Sequence, residues 1–324
     1  MRVLSIGHFT IDEVWLPGGV HVSHLFGGDC VYSAVGAAVW GATVGTISVV
    51  GKDYPEAWIT LLRQRGIRTD GLRALAVRHQ LVAQMVYDDK GRRQNERESA
   101  STSGQVSRRV RSRRWNTFSP RIDDARNLTG WADAVHIAGM PIRRQNDFLR
   151  LFHGVVPLIT VDLPWPPDLY PPGTVPQVEL ASAVLLSEAE MKGLFPGRSI
   201  DEVGQALMAR GAKIVALKRG ARGSIVFHEG RPLGCEIPSL AVDVVDPTGA
   251  GDAYCGGFLV GLSETGNAEI AAQYGTVSAS FVIEGFGAGH GLRHERNDAI
   301  RRLAQVRPAV YGNGSQHREI KHAG

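Results

Sequence analysis

The stretch that decides the fold reads Asp246-Pro247-Thr248-Gly249-Ala250-Gly251-Asp252, and an apolar segment with helical spacing follows it as far as Leu262. Residues 237–245, which precede it, carry β-branched valines and predict an extended strand. The small residues of the motif permit a tight turn and a close approach of the backbone. The stretch therefore predicts a strand, a glycine turn and a helix, a layout that aims free backbone N–H groups at an anion.

Asp252 stands at the start of the predicted helix, beside this anion-binding turn. Small residues and an Asp also open many helices for reasons of packing and capping alone, so a bare Gly-x-Gly-Asp string leaves both interpretations open. A carboxylate beside a bound anion is electrostatically unfavourable unless it has a chemical task. One such task is to accept the proton of a hydroxyl group that attacks phosphorus.

The longer string is more specific, because an aromatic residue and Gly256-Gly257-Phe258 follow Asp252. It closely resembles the C-terminal signature of the ribokinase-like (PfkB) carbohydrate kinase family, and the resemblance extends over roughly residues 1–289. It implies an α/β fold with a mostly parallel central sheet, helices on both faces and a small inserted β lid. It also implies transfer of a phosphoryl group from ATP, with Mg²⁺, to a hydroxyl group of a small sugar or sugar-like acceptor.

The resemblance assigns residues to catalysis and to acceptor binding. Asp252 becomes the catalytic base, and the backbone amides of the turn become the anion hole. On the acceptor side, the family grips sugar hydroxyls at positions that match Asp12 and the pair Gly27-Gly28. The family often carries Asn where this chain has Tyr32, which points to a different acceptor. The catalytic set is thus Asp252, Gly249, Ala250 and Gly251, and the substrate-binding set is Asp12, Gly27, Gly28 and Tyr32.

The resemblance also assigns residues to the nucleotide and to metal ions. Glu190 matches a family position tied to Mg²⁺, reached through water, and Ser187 replaces the Asn of the Asn-x-x-Glu pattern. Ser-x-x-Glu is equally a helix capping box, and one motif can serve both purposes. Lys218, Gly220 and Ala279 match positions near the nucleotide, and Asp246 with Thr248 matches a site for a monovalent cation such as K⁺.

Composition limits the class of protein. A hydrophobic share of 43%, a charged share of 21% and a net charge of +4 are typical of a soluble globular protein and give no strong case for nucleic acid or membrane. The N-terminus has too short an apolar core for a signal peptide and predicts a first strand at Val3–Ile6. The cysteines Cys30, Cys235 and Cys255 form no disulfide or zinc pattern, so a cytoplasmic protein is expected.

Strands alternate with helices through nearly the whole chain, which predicts one α/β domain over residues 1–310 and a basic polar tail over 311–324. Segments at about 10–26 and 78–100 fit the strands of the inserted lid, through which two copies could pair as a homodimer. Residues 92–126 are rich in arginine. A solvated surface, a lid that holds an acidic substrate and, least favoured, a nucleic-acid surface all remain open for this stretch.

Other functions also have to be compared with the sequence. A nucleoside kinase of the same family is favoured by Tyr32 and the lid aromatics, which could stack a base. A sensor that binds sugar or nucleotide without catalysis would not need Asp252. A dinucleotide-dependent oxidoreductase is disfavoured because no Gly-x-Gly-x-x-Gly follows the first strand, and a P-loop kinase because no Gly-x-x-x-x-Gly-Lys-[Ser/Thr] occurs.

Overall fold

The computed structural model describes residues 1–89, 91, 93–94 and 108–306. The strands are β1 Arg2–Ile6, β2 Thr10–Leu16, β3 Val20–Gly27, β4 Thr43–Gly51, β5 Arg68–Leu75, β6 Val82–Tyr87, β7 Arg93–Gln94, β8 Ala134–Ile137, β9 Leu158–Asp162, β10 Ala183–Ser187, β11 Ile214–Lys218, β12 Ser224–His228 and β13 Arg231–Ile237. The helices are α1 Asp29–Ala38, α2 Glu56–Gln64, α3 Arg108–Phe118, α4 Ile142–Phe152, α5 Glu188–Leu194, α6 Ile200–Ala209, α7 Ala250–Thr265, α8 Ala268–Val282 and α9 Arg296–Leu303.

The larger sheet has nine strands in the order β13-β12-β11-β10-β9-β8-β1-β4-β5. The strands from β11 to β5 pair in parallel, and β12 and β13 form an antiparallel hairpin at one edge. β1 lies between β4 and β8, so the strand order runs outward from β1 in one direction through β4 and β5, and in the other direction from β8 onward. In open α/β sheets, ligands bind outside the carboxyl ends of the strands near such a change of direction.

Two hydrophobic cores sandwich this sheet, because its strands are apolar on both faces. Val3 packs into one core and its neighbour Leu4 into the other, as the alternation along a strand requires. One core collects apolar residues of α1, α2, α7 and α8, and the other collects residues of α4, α5 and α6. The predicted α/β architecture with helices on both faces is therefore confirmed.

A second sheet of four strands, in the order β3-β2-β6-β7, is inserted into the chain between elements of the first. β2 pairs antiparallel with β3 and parallel with β6, and the predicted hairpin after Tyr87 pairs Tyr87 with Arg93. These strands lie in the two segments expected to form the lid. Residues 95–100 of the second segment, and the predicted tail 311–324, lie outside the described residues.

The strand predicted for residues 237–245 was wrong beyond its first residue. β13 ends at Ile237, and residues 238–245 form neither strand nor helix. Pro238 has no N–H to continue the ladder of an edge strand, and Val244 and Val245 are exposed. The sequence prediction also missed β5 and α9. Among the described residues no helix has the length and apolarity needed to span a bilayer.

Candidate active site

Three neighbouring parallel strands end in polar residues at one edge of the large sheet. Asp162, Ser187 and Lys218 are the last residues of β9, β10 and β11, and the register pairs Ser187 with Lys218. Because parallel strands carry their carboxyl ends to the same edge, these side chains meet beside the start of α7. Lys218 donates a hydrogen bond to Asp162 Oδ1 at 2.9 Å and one to the carbonyl oxygen of Gly251 at 3.4 Å.

The predicted glycine turn leads directly into α7, which begins at Ala250. Gly249, the N-cap, has the left-handed φ of 78°, and a Cβ at this position would lie 2.2 Å from the ring of Tyr32. Glycine is thus required here both by the backbone and by the neighbouring ring. Tyr32, which the sequence assigned to the acceptor, is 2% exposed and packs against this turn. The first N–H groups of α7 have no partner within the helix and carry about half a positive charge.

Asp252 lies in the first turn of α7 and is partly buried. Burial raises its pKa well above the ordinary value, the charge of Asp29 raises it further, and Lys218 opposes both effects. A carboxylate held in this way binds a proton more strongly than one in water, which suits a group that must accept a proton. The structure therefore brings Asp252 and the anion-binding turn together, as the motif predicts.

Ser187 and Glu190 form the capping box of α5. The backbone N–H and the hydroxyl of Ser187 donate to Glu190 Oε2 at 2.5 and 2.9 Å. Burial raises the pKa of Glu190 to about 7, the charge of Asp162 raises it further, and Lys218 and the Ser187 bonds act in the opposite direction. The capping interpretation of this motif is confirmed, and Glu190 lies within electrostatic reach of Asp162 and Lys218.

Asp12 and the glycine pair meet where β2, β3 and α1 join. Asp12 is 1% exposed, Thr10 donates its hydroxyl to Oδ1, and Oδ2 has no hydrogen-bond partner within the part of the chain that the structure describes. A Cβ on Gly27 would lie 1.8 Å from that Oδ2, so only glycine admits the carboxylate. Gly28 has a φ of 115°, and a Cβ at this position would lie 2.3 Å from the His8 carbonyl oxygen. Burial raises the pKa of Asp12 to about 7, and Thr10 partly offsets this.

Asp246 and Thr248 are buried before the turn. The N–H of Thr248 donates to Asp246 Oδ1 at 2.9 Å, and the Thr248 hydroxyl pairs with the Tyr87 hydroxyl at 3.0 Å. Asp246 Oδ2 is buried and has no partner among the described residues. The backbone of Asp246 donates to the carbonyl oxygen of Ile283, directly after α8, so the motif is tied to that helix. An orphaned carboxylate oxygen of this kind fits a monovalent cation.

The last two predicted nucleotide-binding residues lie at separate elements. Gly220 is exposed in the turn after β11, with a left-handed φ of 58°. Ala279 is half-buried in α8, and its carbonyl oxygen accepts a hydrogen bond from Ile283. Ala279 is linked to the motif through Ile283, which accepts a hydrogen bond from Asp246, and Gly220 follows Lys218 by two residues. Within the described part of the chain, neither Gly220 nor Ala279 forms a hydrogen bond with Asp252.

A family model described as pfkB family carbohydrate kinase matches residues 2–295. The chain belongs to the pfkB carbohydrate kinase family. Its relatives include a cytidine kinase from Thermococcus kodakarensis, 27% identical over 293 residues, which are 89% of this chain and 98% of that protein. A ribokinase from Lactococcus lactis is 33% identical over 115 residues, 36% of each chain.

Solved structures agree with this assignment at the level of the fold. A nucleoside kinase from Methanocaldococcus jannaschii has a TM-score of 0.68 and 20% identity, covering 94% of this chain and 98% of that one. A fructokinase with bound ATP from Xylella fastidiosa has a TM-score of 0.69 and 18% identity, covering 94% and 98%. As a pfkB family member, the protein is a phosphotransferase whose acceptor group is a hydroxyl.

The structure adds residues to this pfkB site that sequence reasoning missed. Asp29, the first residue of α1, accepts hydrogen bonds at Oδ1 from the backbone N–H groups of His8 and Cys30, at 2.5 and 2.6 Å. Its Oδ2 lies 3.1 Å from His8 Nδ1. The charge of Asp29 raises the pKa of both Asp12 and Asp252, so Asp29 lies within electrostatic reach of both carboxyl groups. In the sequence, Asp29 could have been identified as a site residue from its position directly after Gly27-Gly28.

Arg93 is the second addition. It lies in β7 of the small sheet, and its guanidinium stacks on Trp165 at 4.9 Å from the ring centroid. Its charge lowers the pKa of Asp12, against the larger effect of burial. Arg93 and Asp12 therefore lie on the same small sheet, and the guanidinium connects that sheet to Trp165, which follows β9 of the large sheet. No sequence motif marks Arg93, because its role depends on how the two sheets meet.

Proposed function

We propose that the protein transfers the γ-phosphoryl group of ATP to a hydroxyl group of a small sugar or sugar-like acceptor, with Asp252 as the catalytic base. The observation that carries this proposal is the position of Asp252. It lies in the first turn of α7, directly after the glycine turn, where burial raises its pKa. A strong proton acceptor beside a ready anion site is the combination that phosphoryl transfer to an alcohol needs.

In this mechanism the carboxylate acts on the attacking hydroxyl group, and the turn acts on the phosphoryl group. Asp252 accepts the proton of the attacking hydroxyl group. The N–H groups of Gly249, Ala250 and Gly251 donate to the oxygens of the phosphoryl group in transfer, and the dipole of α7 adds to the stabilisation. Lys218 holds the turn from beneath through the Gly251 carbonyl oxygen. Because phosphoryl transfer depends mainly on positioning and electrostatics, these groups suffice for large acceleration.

The nucleotide and its metal ion fit the neighbouring strand ends. Ser187 engages Glu190 through Oε2, which leaves Oε1 to accept from a water bound to Mg²⁺. The metal would neutralise charge on the ATP phosphates. Gly220 and Ala279 would line the path of the nucleotide, and the orphaned Asp246 Oδ2 with Thr248 would hold K⁺. Asp12, Gly27, Gly28 and Tyr32 would hold the acceptor.

A nucleoside is the second candidate acceptor. One relative that matches along nearly the whole chain is named cytidine kinase. A cavity of about 220 Å³ is lined by Trp115, Asn116 and Trp165 among others. The Arg93 guanidinium stacks on the Trp165 ring. The Trp115 ring packs edge-on against the His8 ring, with 4.4 Å between the ring centroids. Two indole rings and an amide are suitable partners for a heterocyclic base.

An acceptor panel read by product mass tests the proposal. The panel contains pentoses, hexoses, inositols, sugar acids, phosphosugars and nucleosides, each with ATP and Mg²⁺. Asp252→Asn should keep the fold and ATP binding while it lowers turnover by roughly 10²–10⁴. Asp201→Asn is the matched control, because Asp201 also lies in the first turn of a helix, is exposed, and is remote from the motif in sequence. Near-normal turnover of Asp252→Asn would remove Asp252 from its proposed role.

A further inference from the structure

A cluster of buried polar side chains adjoins the catalytic turn, and it includes a cysteine that the proposed mechanism does not use. His136 lies in β8, Asp162 ends β9, and Cys255 lies on the second turn of α7. One imidazole nitrogen, one carboxylate oxygen and one thiol sulfur from these residues all lie within 4.8 Å of one another. The three side chains are 1%, 2% and 0% exposed.

The imidazole of His136 has a free nitrogen that faces this cluster. Its Nε2 lies 4.0 Å from Asp162 Oδ2 and has no hydrogen-bond partner within the described part of the chain. Its Nδ1 pairs with the Thr160 hydroxyl at 3.0 Å. Histidines that bind metals commonly use one nitrogen for the metal and donate the other N–H to an oxygen. Burial also lowers the pKa of His136 to about 4, so the ring is neutral at pH 7 and can coordinate.

Lys218 supplies the outer partner that an anionic ligand pair needs. Its ammonium donates to Asp162 through Oδ1, at 2.9 Å, which leaves Oδ2 facing His136 and Cys255. The same ammonium lies 3.1 Å from Cys255 Sγ, where it can donate to a thiolate. A metal ion on Oδ2 and Sγ therefore does not require Lys218 to leave.

We propose that His136 Nε2, Asp162 Oδ2 and Cys255 Sγ form a binding site for a thiophilic divalent transition metal ion of the Zn²⁺ type. One nitrogen, one oxygen and one sulfur donor suit zinc, whereas Mg²⁺ prefers oxygen ligands. Tetrahedral zinc bonds of about 2.0–2.3 Å place ligand atoms roughly 3.3–3.7 Å apart. Cys255 Sγ and Asp162 Oδ2 are already 3.3 Å apart, so the main change needed is for His136 Nε2, now 4.0 Å from Oδ2, to move closer to both. Water completes the fourth position.

Metal binding at this site changes the hydrogen bonds of the catalytic turn. The Cys255 thiol lies 3.1 Å from the Gly251 carbonyl oxygen and can donate to it. Coordination replaces the S–H bond by a sulfur–metal bond and releases that proton to solvent. Gly251 then loses a donor in the turn that holds the phosphoryl group, so the bound ion inhibits transfer. The inhibition rests on the proposed function, but the binding does not.

Cobalt is the probe for binding, because a Co²⁺ ion bound to a thiolate shows a sulfur-to-metal charge-transfer absorption. The full-length protein, prepared without metal, should develop this band up to one ion per chain, with about one proton released per ion. Zn²⁺ should remove the band, and Mg²⁺ in large excess should not. Absence of a sulfur band at a large molar excess of Co²⁺ would overturn the proposal.

Variants locate the site. Cys255→Ser should abolish the band, and His136→Asn should weaken binding at least tenfold, the lower end of what even outer partners of a metal contribute. Cys30→Ser is the matched control, since Cys30 is equally buried but bonds to the Ser5 carbonyl oxygen away from the cluster. Circular dichroism and ATP binding check the fold of each variant. A band that persists in Cys255→Ser would refute the assignment.

The kinase reaction tests the inhibition separately. Zn²⁺ added at fixed, saturating Mg²⁺ and ATP should lower the rate of the wild-type protein, and each variant is compared with its own rate without zinc. Zinc inhibition should weaken at least tenfold in Cys255→Ser and stay unchanged in Cys30→Ser. Equal inhibition in both variants would mean that zinc acts at the nucleotide's metal, and the inhibitory role would be wrong. If no acceptor is phosphorylated, the proposed function fails, while the cobalt result still decides the binding site.

Discussion

At the scale of single residues, the burial of the Asp12 carboxyl group destabilises the protein when no ligand is bound. Asp12 is buried with one oxygen unpaired, and it fits only because Gly27 has no side chain. A buried polar atom without a partner destabilises the protein by about 1–3 kcal/mol, and a charged one by more. Hydroxyl groups of an acceptor would satisfy it. Under the proposed function, Asp12 would therefore contribute to acceptor binding at the expense of the stability of the protein without ligand.

Asp12→Asn should make the empty protein more stable at neutral pH. The pKa of Asp12 is about 7 in the folded state, against about 3.9 when unfolded. Between these values the folded state binds more protons, so stability falls as pH rises from about 4 to 7 and stays lower above that. Asn does not titrate, so the variant should lack this loss of stability. It should therefore be more stable than the wild-type protein by on the order of 2–4 kcal/mol at pH 8. Chemical denaturation of both proteins at several pH values measures it.

The comparison with wild type is needed because Glu190, whose pKa is also about 7, titrates in the same range. That background is common to both proteins and cancels in the difference. The same variant should raise KM for the acceptor at least tenfold, since a carboxylate hydrogen bond is worth about 1.5–3 kcal/mol. An identical pH dependence in the two proteins would show that Asp12 does not carry the effect.

At the scale of elements, the site is built from two helix starts of different chemistry. α7 begins with a left-handed glycine, and no N-cap side chain occupies the first N–H groups of this helix. α5 begins with a Ser–Glu capping box, which satisfies those groups with its own side chains. The first arrangement leaves room for a ligand, and the second fixes a carboxylate beside it. Two matched pairs of variants separate these roles.

Gly249→Ala and Gly251→Ala should differ sharply. A Cβ on Gly249 would meet the Tyr32 ring at 2.2 Å at a positive φ, whereas one on Gly251 would lie 3.8 Å from Lys218 in ordinary contact. Gly249→Ala should destabilise the protein by about 1–3 kcal/mol from backbone strain, and the clash with Tyr32 should add to this loss. Gly251→Ala should retain stability but lower kcat more than it raises KM for the acceptor. Thermal unfolding and steady-state kinetics measure both; equal losses of stability would contradict the geometry.

Ser187→Ala and Ser199→Ala both remove the serine of a capping box. Ser199 caps α6 through Glu202 in the same way that Ser187 caps α5, but on an exposed helix start. Each change should cost about 0.5–2 kcal/mol of stability. Only Ser187→Ala removes the hydroxyl that donates to Glu190 and helps to fix its carboxylate, so it alone should raise the Mg²⁺ concentration needed for half-maximal rate. A Mg²⁺ titration of both variants decides this, and equal curves would place Glu190 away from the metal.

At the scale of the whole molecule, local charge and net charge have opposite signs. The chain carries +4 overall, yet Asp246 and Asp29 both raise the pKa of Asp12, and Asp29 also raises that of Asp252. Arg93 acts in the other direction on Asp12. The described surroundings of the acceptor are therefore acidic, although the sequence has an arginine-rich stretch. Whether that stretch serves as a solvated surface or as a lid stays a prediction, because residues 95–107 lie outside the described part.

Neutral acceptors should therefore be phosphorylated more efficiently than matched sugar acids. Like charges about 4 Å apart repel by about 4 kcal/mol at an effective dielectric constant near 20, so a difference of about 10²-fold or more in kcat/KM is expected. Arg93→Gln should widen the difference because it removes a nearby cation. Paired assays of each neutral sugar and its acid measure this ratio. A preference for the acid would show that the arginine-rich stretch supplies the countercharge.

The sequence by itself determined the parts of this protein that lie on one continuous segment. The motif from Asp246 to Asp252, the turn at Gly249 and the capping box at Ser187 were all predicted, because their geometry depends on near neighbours in the chain. The alternation of strands and helices was sufficient for the α/β class for the same reason. Residues 237–245 were mistaken for a strand because valine content reports a local preference, whereas an edge strand also needs a partner.

Only the tertiary structure decided which distant residues share the site. Asp29, Arg93 and Asp162 carry no motif of their own, and they meet because parallel strands end at one edge and the small sheet lies against the large one. Cys255 is not part of any metal-binding motif in the sequence, yet in the fold it lies beside His136 and Asp162. The pKa values of Asp12, Glu190 and Asp252 follow mainly from burial, which is a property of the packed molecule.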